Sequence, residues 1–253
     1  MHIVYICSPD RKLELLTSIG SVLASGTEFE RITVICVGAS GRPFRFRDPR
    51  IRVETIPDIS KYIWMENKTH LSRVDGDQLL FIDTDTLVFK PLHLLFATDA
   101  EDIAGRVTTA SEQPDWQPEV WKQYLRKYGA ASFFPYLNTG LLYFSRGAHR
   151  RIAPLWLDIT RDLLARQSNP FGNRGQSNQH AFSLACGAVG LSCKRLSANE
   201  HAYGWIDENY SDAYVYHTGK HFIKRVLNAN QAAGVLDNNP MVSKYRLIFH
   251  VHM

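Results

Sequence analysis

The sequence has few cysteines, no long apolar run and no large excess of charge of one sign. Its four cysteines include no CxxC pair, and three of them lie in apolar runs where a small hydrophobic side chain is expected, so no disulfide framework is predicted. No run approaches the roughly 18 apolar residues of a membrane-spanning helix. The first residues, MHIVYICSPDRK, are typical of a strand and not of a signal peptide, and we expect a cytoplasmic protein.

Basic and acidic residues nearly balance in the chain. The 29 lysines and arginines stand against 25 aspartates and glutamates, spread along the sequence, for a net charge of +4. Because a nucleic-acid-binding protein usually concentrates positive charge on one face, no nucleic-acid partner is expected. The 253 residues are 45% hydrophobic, with no repeated period and no evident linker, so one domain over residues 1–253 is predicted.

Strands alternate with helices in the first third of the chain. The apolar pattern predicts strands over 2–7, 32–37, 50–56 and within 78–89, and helices over 12–23 and 59–74. This order is typical of a parallel sheet covered by helices, with ligands at the carboxyl ends of the strands. The later part is less regular. There we predict helices over 118–128, 150–166 and 178–186, a strand over 141–144, and one or two closing helices after 227.

Two carboxylates, one residue apart, follow an apolar run. Asp83 and Asp85 lie between Leu79–Ile82 and Leu87–Phe89, which would bury both charges. Burying an uncompensated charge is costly, whereas a divalent cation would neutralise both carboxylates and the diphosphate of a substrate. The sequence therefore predicts a Mn²⁺ or Mg²⁺ site here. A second pair, in Asp75-Gly76-Asp77, lacks these apolar surroundings and is assigned to a surface turn.

The segment from Lys68 to Phe96 resembles the core of GT-A glycosyltransferases, especially glycosyltransferase family 8 and its relatives: a lysine-bearing helix, an apolar strand ending in DxD, and a short helix. Three further blocks follow in the family's order, Tyr136–Leu142, Ser177–Ser183 and Val215–Lys220. The resemblance implies an α/β fold of the GT-A type, with a Rossmann-like, mostly parallel central sheet flanked by helices. Residues 1–90 would form the half that binds the nucleotide sugar, and residues 91–253 the half that binds the acceptor.

The same resemblance implies an activity and its residues. The enzyme would be a metal-dependent hexosyltransferase of polysaccharide biosynthesis. It would move a hexose from a nucleotide-diphosphate sugar, which we expect to be a UDP-sugar, to a glycan or glycolipid acceptor with retention. Asp83, Asp85 and His217 would bind the metal ion, and Asn178 and Gln179 would lie at the reacting carbon. The donor would contact Tyr5, Ser8, Asp10, Lys68, Asp83, Thr84, Asn138, Gly140, Gly219 and Lys220.

Two departures from the family pattern leave parts of this assignment open. The block at His217 has the spacing His-x-Gly-Lys, so either Lys220 or Lys224 would meet the phosphates. Asn178 stands where the family commonly has an aspartate, and an amide can bond a sugar hydroxyl but cannot act as a base. A reaction with inversion would need another base. The candidates are Asp207, Glu208 and His180.

Alternative interpretations concern both the function and the surface. Asn178 also fits a sugar-nucleotide-binding protein without turnover. Haloacid-dehalogenase-type phosphohydrolases share the apolar strand with DxD, although Leu87 stands where that class has threonine or valine. The arginine-rich run 42–52 either seats the protein peripherally on the inner face of an anionic membrane or forms a solvated loop, which we favour. Trp116 and Trp121 are candidates for stacking on an acceptor sugar, but a packed helix is the favoured interpretation.

Overall fold

The computed structural model describes residues 1–39, 45–96, 101–108, 118–166, 176–207 and 212–219. The strands are β1 (His2–Cys7), β2 (Arg31–Val37), β3 (Ile51–Ile56), β4 (Leu79–Ile82), β5 (Thr86–Val88), β6 (Ile103–Gly105), β7 (Leu141–Phe144), β8 (Cys193–Arg195), β9 (His201–Tyr203) and β10 (Val215–His217). The α-helices are α1 (Lys12–Ala24), α2 (Leu92–Leu95), α3 (Pro118–Lys127), α4 (Ala148–Ala165) and α5 (Ser177–Val189). Two segments form 3-10 helices, Pro9–Arg11 and Trp64–Arg73.

The larger sheet contains seven of the described strands in the order β3-β2-β1-β4-β7-β6-β8. β1 pairs in parallel with β2 and β4, and β2 pairs in parallel with β3. β7 runs antiparallel to its neighbours β4 and β6, and β8 is parallel to β6. Every residue of β1 is buried, as expected for a strand covered on both faces. The predicted α/β fold with a mostly parallel central sheet is confirmed.

Helices cover both faces of this sheet because successive strand residues point to opposite sides. Val4 belongs to the buried cluster that contains Trp156 of α4 and Phe182 of α5. Ile3, the preceding residue, belongs to the cluster that contains Leu15 of α1. With both faces covered, the edge formed by the carboxyl ends of the strands is where polar groups can meet a ligand.

A second sheet, with the described strands in the order β5-β10-β9, begins where β4 ends. β10 pairs antiparallel with β5 and parallel with β9. The single strand predicted within 78–89 is therefore two strands in different sheets. The Asp83 N–H donates to the Gly140 carbonyl (2.8 Å), and the Thr86 hydroxyl donates to the Asp83 carbonyl (2.7 Å), which closes a turn between them. This turn places Asp83 and Asp85 at the junction of the two sheets.

The helix predicted over 59–74 forms only as the 3-10 helix Trp64–Arg73. The buried carboxylate of Glu66 accepts hydrogen bonds from the backbone N–H groups of residues 61–63. These residues therefore cap the first turn and do not extend it. The other predicted elements up to residue 186 form with ends that differ by three residues or fewer. The helices predicted after 227 lie outside the described residues.

The strands that the sequence pattern missed, β6, β8, β9 and β10, have three residues each. Three residues are too few to show an apolar period, so only their pairing in the fold defines them. All four cysteines are free, as expected. Within the described ranges, no helix combines the length and the apolar character needed to cross a bilayer.

Candidate active site

The turn after β4 opens into a cavity of about 300 Å³. Its lining residues come from the ends of several strands and from the first turn of α5, and most of the residues predicted from the sequence are among them. They are Met65, Lys68, Asp83, Asp85, Thr108, Asn138, Thr139, Gly140, Gln176, Asn178, Gln179, Trp205, His217 and Gly219. The site therefore combines residues from both halves of the chain.

Three potential metal ligands meet in this cavity. Asp83, Asp85 and His217 each offer one ligand atom, and these atoms lie within 4.8 Å of one another. The antiparallel pairing of β10 with β5 brings His217 beside Asp85. Nδ1 of His217 is buried and has no hydrogen-bond partner among the described residues. Two carboxylates and one imidazole suit a divalent cation such as Mn²⁺ or Mg²⁺, so the residues present fit the predicted ion.

Lys68 reaches the acidic group from the 3-10 helix. Its ammonium group donates to Oδ2 of Asp83 (2.7 Å) and to the carbonyl of Thr139 (3.2 Å), and only 6% of the residue is exposed. A solvated helix face, the usual place of a lysine, does not describe this position. Glu66 anchors the same helix through its backbone hydrogen bonds and through Arg161, whose Nε lies 2.9 Å from the carboxylate.

Burial and neighbouring charges set the protonation states of Asp83, Asp85 and His217. Burial raises the pKa of Asp83, and the attraction of Lys68 opposes the shift. Burial would also raise the pKa of Asp85, but the nearby His217, with Nε2 at 3.2 Å from Oδ1, lowers it to about 2. Burial would lower the pKa of His217, yet the attraction of Asp85 and the hydrogen bond to it raise that pKa above its usual value. Each carboxylate thus has its own cationic partner.

Gly140 allows His217 to reach this position. A Cβ atom at residue 140 would lie 2.1 Å from Cε1 and 2.4 Å from Nδ1 of the His217 ring. Both distances are far inside van der Waals contact, so the imidazole packs directly on the Gly140 backbone. Oδ1 of Asn138 accepts the Gly140 N–H (2.7 Å), which closes the turn that presents this glycine. Asn138 and Gly140 therefore shape the cavity wall, as well as lining it.

Two amide side chains at the start of α5, those of Asn178 and Gln179, also line the cavity. Asn178 is 1% exposed, and its Nδ2 donates to the Met65 carbonyl (3.0 Å). Its Oδ1 has no hydrogen-bond partner among the described residues. The Oε1 atom of Gln179 accepts the Thr139 N–H (3.2 Å). Because an unsatisfied buried acceptor is costly, Oδ1 of Asn178 is suited to accept a hydrogen bond from a bound hydroxyl.

Four residues predicted to contact the donor do not line this cavity. Tyr5 is fully buried, with its hydroxyl 3.1 Å from the Ser18 hydroxyl of α1, so its side chain does not reach the cavity, and its contact with the nucleotide stays a prediction. Its orientation follows from the alternation along β1. Ser8 and Asp10 lie at the 3-10 helix that follows β1. The Thr84 hydroxyl donates to Oε2 of Glu14 on α1 (3.3 Å).

The remaining predicted residues follow β10. Gly219 lines the cavity and has a φ of 68°, a left-handed conformation that favours glycine. Lys220 and Lys224 lie outside the described residues, so the choice between them as the phosphate contact stays a prediction.

Neither described candidate for a general base lines the cavity. The Asp207 carboxylate pairs with Nη1 of Arg106 (2.6 Å) and accepts the Tyr203 N–H. His180 is 1% exposed and stacks on Tyr136 with 4.4 Å between ring centroids, and burial lowers its pKa to about 4. Glu208 lies outside the described residues.

Sequence reasoning missed Trp205, which lines the cavity and is 45% exposed. Trp121, the tryptophan considered instead, is fully buried and donates from Nε1 to the Phe134 carbonyl (2.8 Å), while Trp116 lies outside the described residues. The packed-helix interpretation of Trp121 is confirmed. Trp205 follows β9 closely, much as Asp83 follows β4, but a three-residue strand gives no signal by which to notice it.

Two residues of the described part of the arginine-rich run contact the rest of the protein. Phe46 is partly buried on the core, and Arg50 pairs with Asp48 (2.7 Å) and lies over the Phe29 ring. Arg45, Arg47, Arg50 and Arg52 are exposed, which both interpretations allow, so the choice between a solvated loop and membrane contact stays a prediction. Residues 42–44 lie outside the described ranges.

The arrangement of strands and helices is that of glycosyltransferases of the GT-A type, as the sequence resemblance implied. The galactosyltransferase LgtC, solved with donor and acceptor sugar analogues, matches with a TM-score of 0.62 over 87% of this chain and 87% of its own, at 17% identity. The bifunctional glycosyltransferase WbbM matches with a TM-score of 0.60 over 97% of this chain and 51% of its own, at 12% identity. The glycosyltransferase GlyE of Streptococcus pneumoniae matches with 0.57 over 85% and 54%, at 11% identity.

This likeness establishes the fold. The chain spans about half the length of the WbbM and GlyE chains. No family model matches the chain, and no curated protein matches its sequence.

Proposed function

We propose that this chain is a metal-dependent glycosyltransferase that transfers a hexose from a nucleotide-diphosphate sugar, a UDP-sugar, to a glycan or glycolipid acceptor. The observation that carries the proposal is the meeting of Asp83, Asp85, His217 and Lys68 at one cavity of a GT-A fold. LgtC shares that fold and was solved with donor and acceptor sugar analogues. LgtC was also solved as an active-site mutant in which glutamate replaces a glutamine, which supports a role for Gln179 here.

Each residue has a role that its contacts suit. Asp83, Asp85 and His217 would hold Mn²⁺ or Mg²⁺, which would neutralise the donor diphosphate as it leaves. Lys68, already beside Asp83, would add positive charge for a phosphate or a bond to a donor hydroxyl. Asn138 and Asn178 would bond the hydroxyls of the donor sugar. The rest of the nucleotide site would come from three residues that do not line the cavity, Ser8, Asp10 and Thr84. Lys220 or Lys224, which lie outside the described residues, would contact the phosphates.

Transfer with retention fits the residues that line the cavity. Among the described lining residues, the only carboxylates are Asp83 and Asp85, which are needed for the metal. Without a further base, the acceptor hydroxyl oxygen would bond to the anomeric carbon on the face of the leaving group. The bond from that carbon to the diphosphate would break with its electron pair going to the nucleotide. The proton of the acceptor hydroxyl would pass to a phosphate oxygen of the leaving group.

We further propose that residues 1–253 act as one domain, with donor binding centred on 1–90 and acceptor binding on 91–253. His217 comes from the second part and completes the metal group of the first. The two parts would therefore function only together.

The experiment is a donor panel. The full chain is incubated with UDP-, GDP- and dTDP-sugars and Mn²⁺, and released nucleotide is measured with and without EDTA. We expect release from a UDP-hexose that EDTA and Asp85→Asn abolish and that Asp77→Asn, in the exposed acidic turn, leaves intact. Unchanged release in Asp85→Asn would contradict the proposal.

One alternative is a sugar-nucleotide-binding protein without turnover. Asn178 favours it, because glycosyltransferase family 8 commonly has an aspartate at this position. Binding of one donor without release of nucleotide from any donor would indicate that function. Cleavage of simple phosphomonoesters would instead indicate a phosphohydrolase.

A further inference from the structure

Trp205 is a large apolar side chain left open to solvent beside the acidic group. Among the described residues, six large hydrophobic side chains are exposed, and Trp205 is the one that lines the cavity of Asp83 and His217. Exposing an indole face to water is unfavourable, so an exposed tryptophan in a cavity points to a ligand that covers it. The ligand needs an apolar face of its own.

The indole ring of Trp205 has a fixed orientation. It stacks on Tyr203 with 4.8 Å between ring centroids and 9° between planes, and it meets the His217 ring edge to face at 5.4 Å. Its six-membered ring also covers Gly219, where an added Cβ atom would lie 3.6 Å away. Contacts on several sides remove the rotamer freedom that a ligand would otherwise have to restrict.

Tyr203, which supports the indole, is itself held by polar contacts. It is fully buried, and its hydroxyl donates to the Val107 carbonyl (2.9 Å). The guanidinium carbon of Arg106 lies 4.1 Å from the centroid of its ring. Arg106 pairs in turn with Asp207. The support of Trp205 therefore consists of contacts that reach the buried core.

Asp207 closes the turn that carries Trp205. Its carboxylate accepts the Tyr203 N–H, and its own N–H donates to the Tyr203 carbonyl (2.9 Å). At Gly204, inside this turn, an added Cβ atom would lie 2.6 Å from the Tyr216 hydroxyl, so any larger residue would have to displace the Tyr216 ring. The residue considered from the sequence as a base thus has a structural role in positioning Trp205.

We propose that Trp205 is the platform on which a pyranose ring of the acceptor stacks, an inference that rests on the proposed function. A pyranose has a face of C–H groups that an indole can cover, and hydroxyls around its edge that the mostly polar lining of this cavity can bond. The donor sugar must follow the diphosphate to the deep polar groups, where Lys68 is 6% and Asn178 is 1% exposed. The sugar ring that covers the exposed side chain of Trp205 is then the ring of the acceptor.

The test measures glycoside binding separately from nucleotide binding. Saturation-transfer NMR on the full chain with Mg²⁺ and UDP uses methyl β-D-glucopyranoside, methyl β-D-galactopyranoside and methyl α-D-mannopyranoside as probes. UDP affinity is measured by calorimetry on the same proteins. The variants are Trp205→Ala and Trp205→Phe, with Ile206→Ala as the matched control, since Ile206 is equally exposed and does not line the cavity.

We expect Trp205→Ala to lose glycoside affinity by about tenfold more than any loss of UDP affinity. Trp205→Phe should keep part of the glycoside affinity, and Ile206→Ala should keep all of it. Equal losses of glycoside and UDP affinity, unchanged glycoside affinity in Trp205→Ala, or no glycoside binding by the unaltered chain would each overturn the inference. Failure of the unaltered chain to bind UDP, with Trp205-dependent glycoside binding retained, would instead count against the proposed function.

Discussion

Two aspartate pairs with the same spacing lie at opposite ends of β4. Asp75 and Asp77 precede the strand at an exposed bend, where Gly76 has a φ of 111° and the Asp77 side chain is 77% exposed. Asp83 and Asp85 follow the strand, and their side chains are 20% and 23% exposed. The first pair has a surface arginine, Arg150, as its partner, and the second has a buried lysine and a buried histidine.

Cavity size does not distinguish the two pairs. The open depression beside Asp75 and Asp77 has a volume of about 510 Å³, larger than the cavity of about 300 Å³ at Asp83 and Asp85. The difference lies in desolvation, because water screens an exposed carboxylate, whereas a buried one needs a cation. The same tripeptide pattern is thus a turn at one end of the strand and a candidate metal site at the other.

Asp85→Asn should produce the largest effect and separate the two pairs. An amide lacks the charge that holds a divalent cation, so Mn²⁺ affinity, followed by the electron paramagnetic resonance signal of free Mn²⁺, should fall by at least about 100-fold. The matched change Asp77→Asn should leave Mn²⁺ affinity within about twofold. Similar losses in both variants would contradict a metal site at Asp83 and Asp85 that the Asp75 and Asp77 pair lacks.

Glu66→Ala should destabilise the helix that carries Lys68 to Asp83. It removes a buried acceptor of three backbone N–H groups and of Arg161, so urea denaturation should show a loss of about 2 to 3 kcal/mol. Glu119→Ala, which removes an exposed partner of Lys122, should leave the urea denaturation midpoint nearly unchanged.

The contribution of Glu66 should depend on pH. Burial would raise the pKa of Glu66, but the hydrogen bonds from Arg161 and from the backbone hold it below its usual value. The stabilisation should be complete above the usual glutamate pKa and disappear as the pH falls through the lowered one. A stability difference between the unaltered chain and Glu66→Ala that grew on acidification would refute this account.

Gly140→Ala should weaken metal binding at Asp83, Asp85 and His217 although none of these three residues is replaced. The new methyl group would displace the His217 ring, and Mn²⁺ affinity should fall by about tenfold. Gly26→Ala is the control, because its φ of 75° makes the change costly for stability while nothing lies within 4 Å of the added atom. Equal Mn²⁺ affinity in Gly140→Ala and Gly26→Ala would show that His217 needs no such space.

Lys68→Met should have a smaller effect of opposite sign. The ammonium group competes with any added cation for Asp83, so its removal should raise Mn²⁺ affinity in the absence of nucleotide by about three- to tenfold. Lys122→Met, at an exposed ion pair, should change nothing. Weaker Mn²⁺ binding by Lys68→Met would mean that the lysine supports the cation site.

Arg150→Ala, at the exposed pair, should have the smallest effect. Its guanidinium bonds the Gly76 carbonyl (2.7 Å) and Asp77 (3.0 Å) at the surface, where water screens both charges. Thermal denaturation should show a change of less than about 0.5 kcal/mol. A loss above about 2 kcal/mol would show that the turn before β4 matters to the fold as much as the turn after it.

Much of the fold could be predicted because its long elements carry a repeating apolar pattern. The strands β1 and β7 and the helices α1, α3, α4 and α5 are of this kind, and each formed close to its predicted bounds. Residues 59–63 continue the apolar pattern of the segment 64–74, and this pattern predicts one helix over both. A side chain that caps the backbone, Glu66, overrides that pattern, and local spacing cannot show where its carboxylate points.

Some features of the candidate site could likewise be predicted from neighbouring residues, and others could not. Burial of Asp83 and Asp85 followed from the apolar residues around them, which are their neighbours in the chain. The positions of the Tyr5, Asp207 and Trp205 side chains could not be predicted from neighbouring residues, because each position depends on contacts formed in the folded chain.

The sequence by itself determined which segments are buried and which of the two aspartate pairs lies among apolar residues, because hydrophobicity and its period are properties of neighbouring residues. Only the tertiary structure decided that the apolar segment 79–88 divides between two sheets, that β10 carries His217 to Asp85, and that Lys68 is the partner of Asp83. Pairing of strands from distant parts of the chain sets these distances, and the short strands that pair have no pattern of their own.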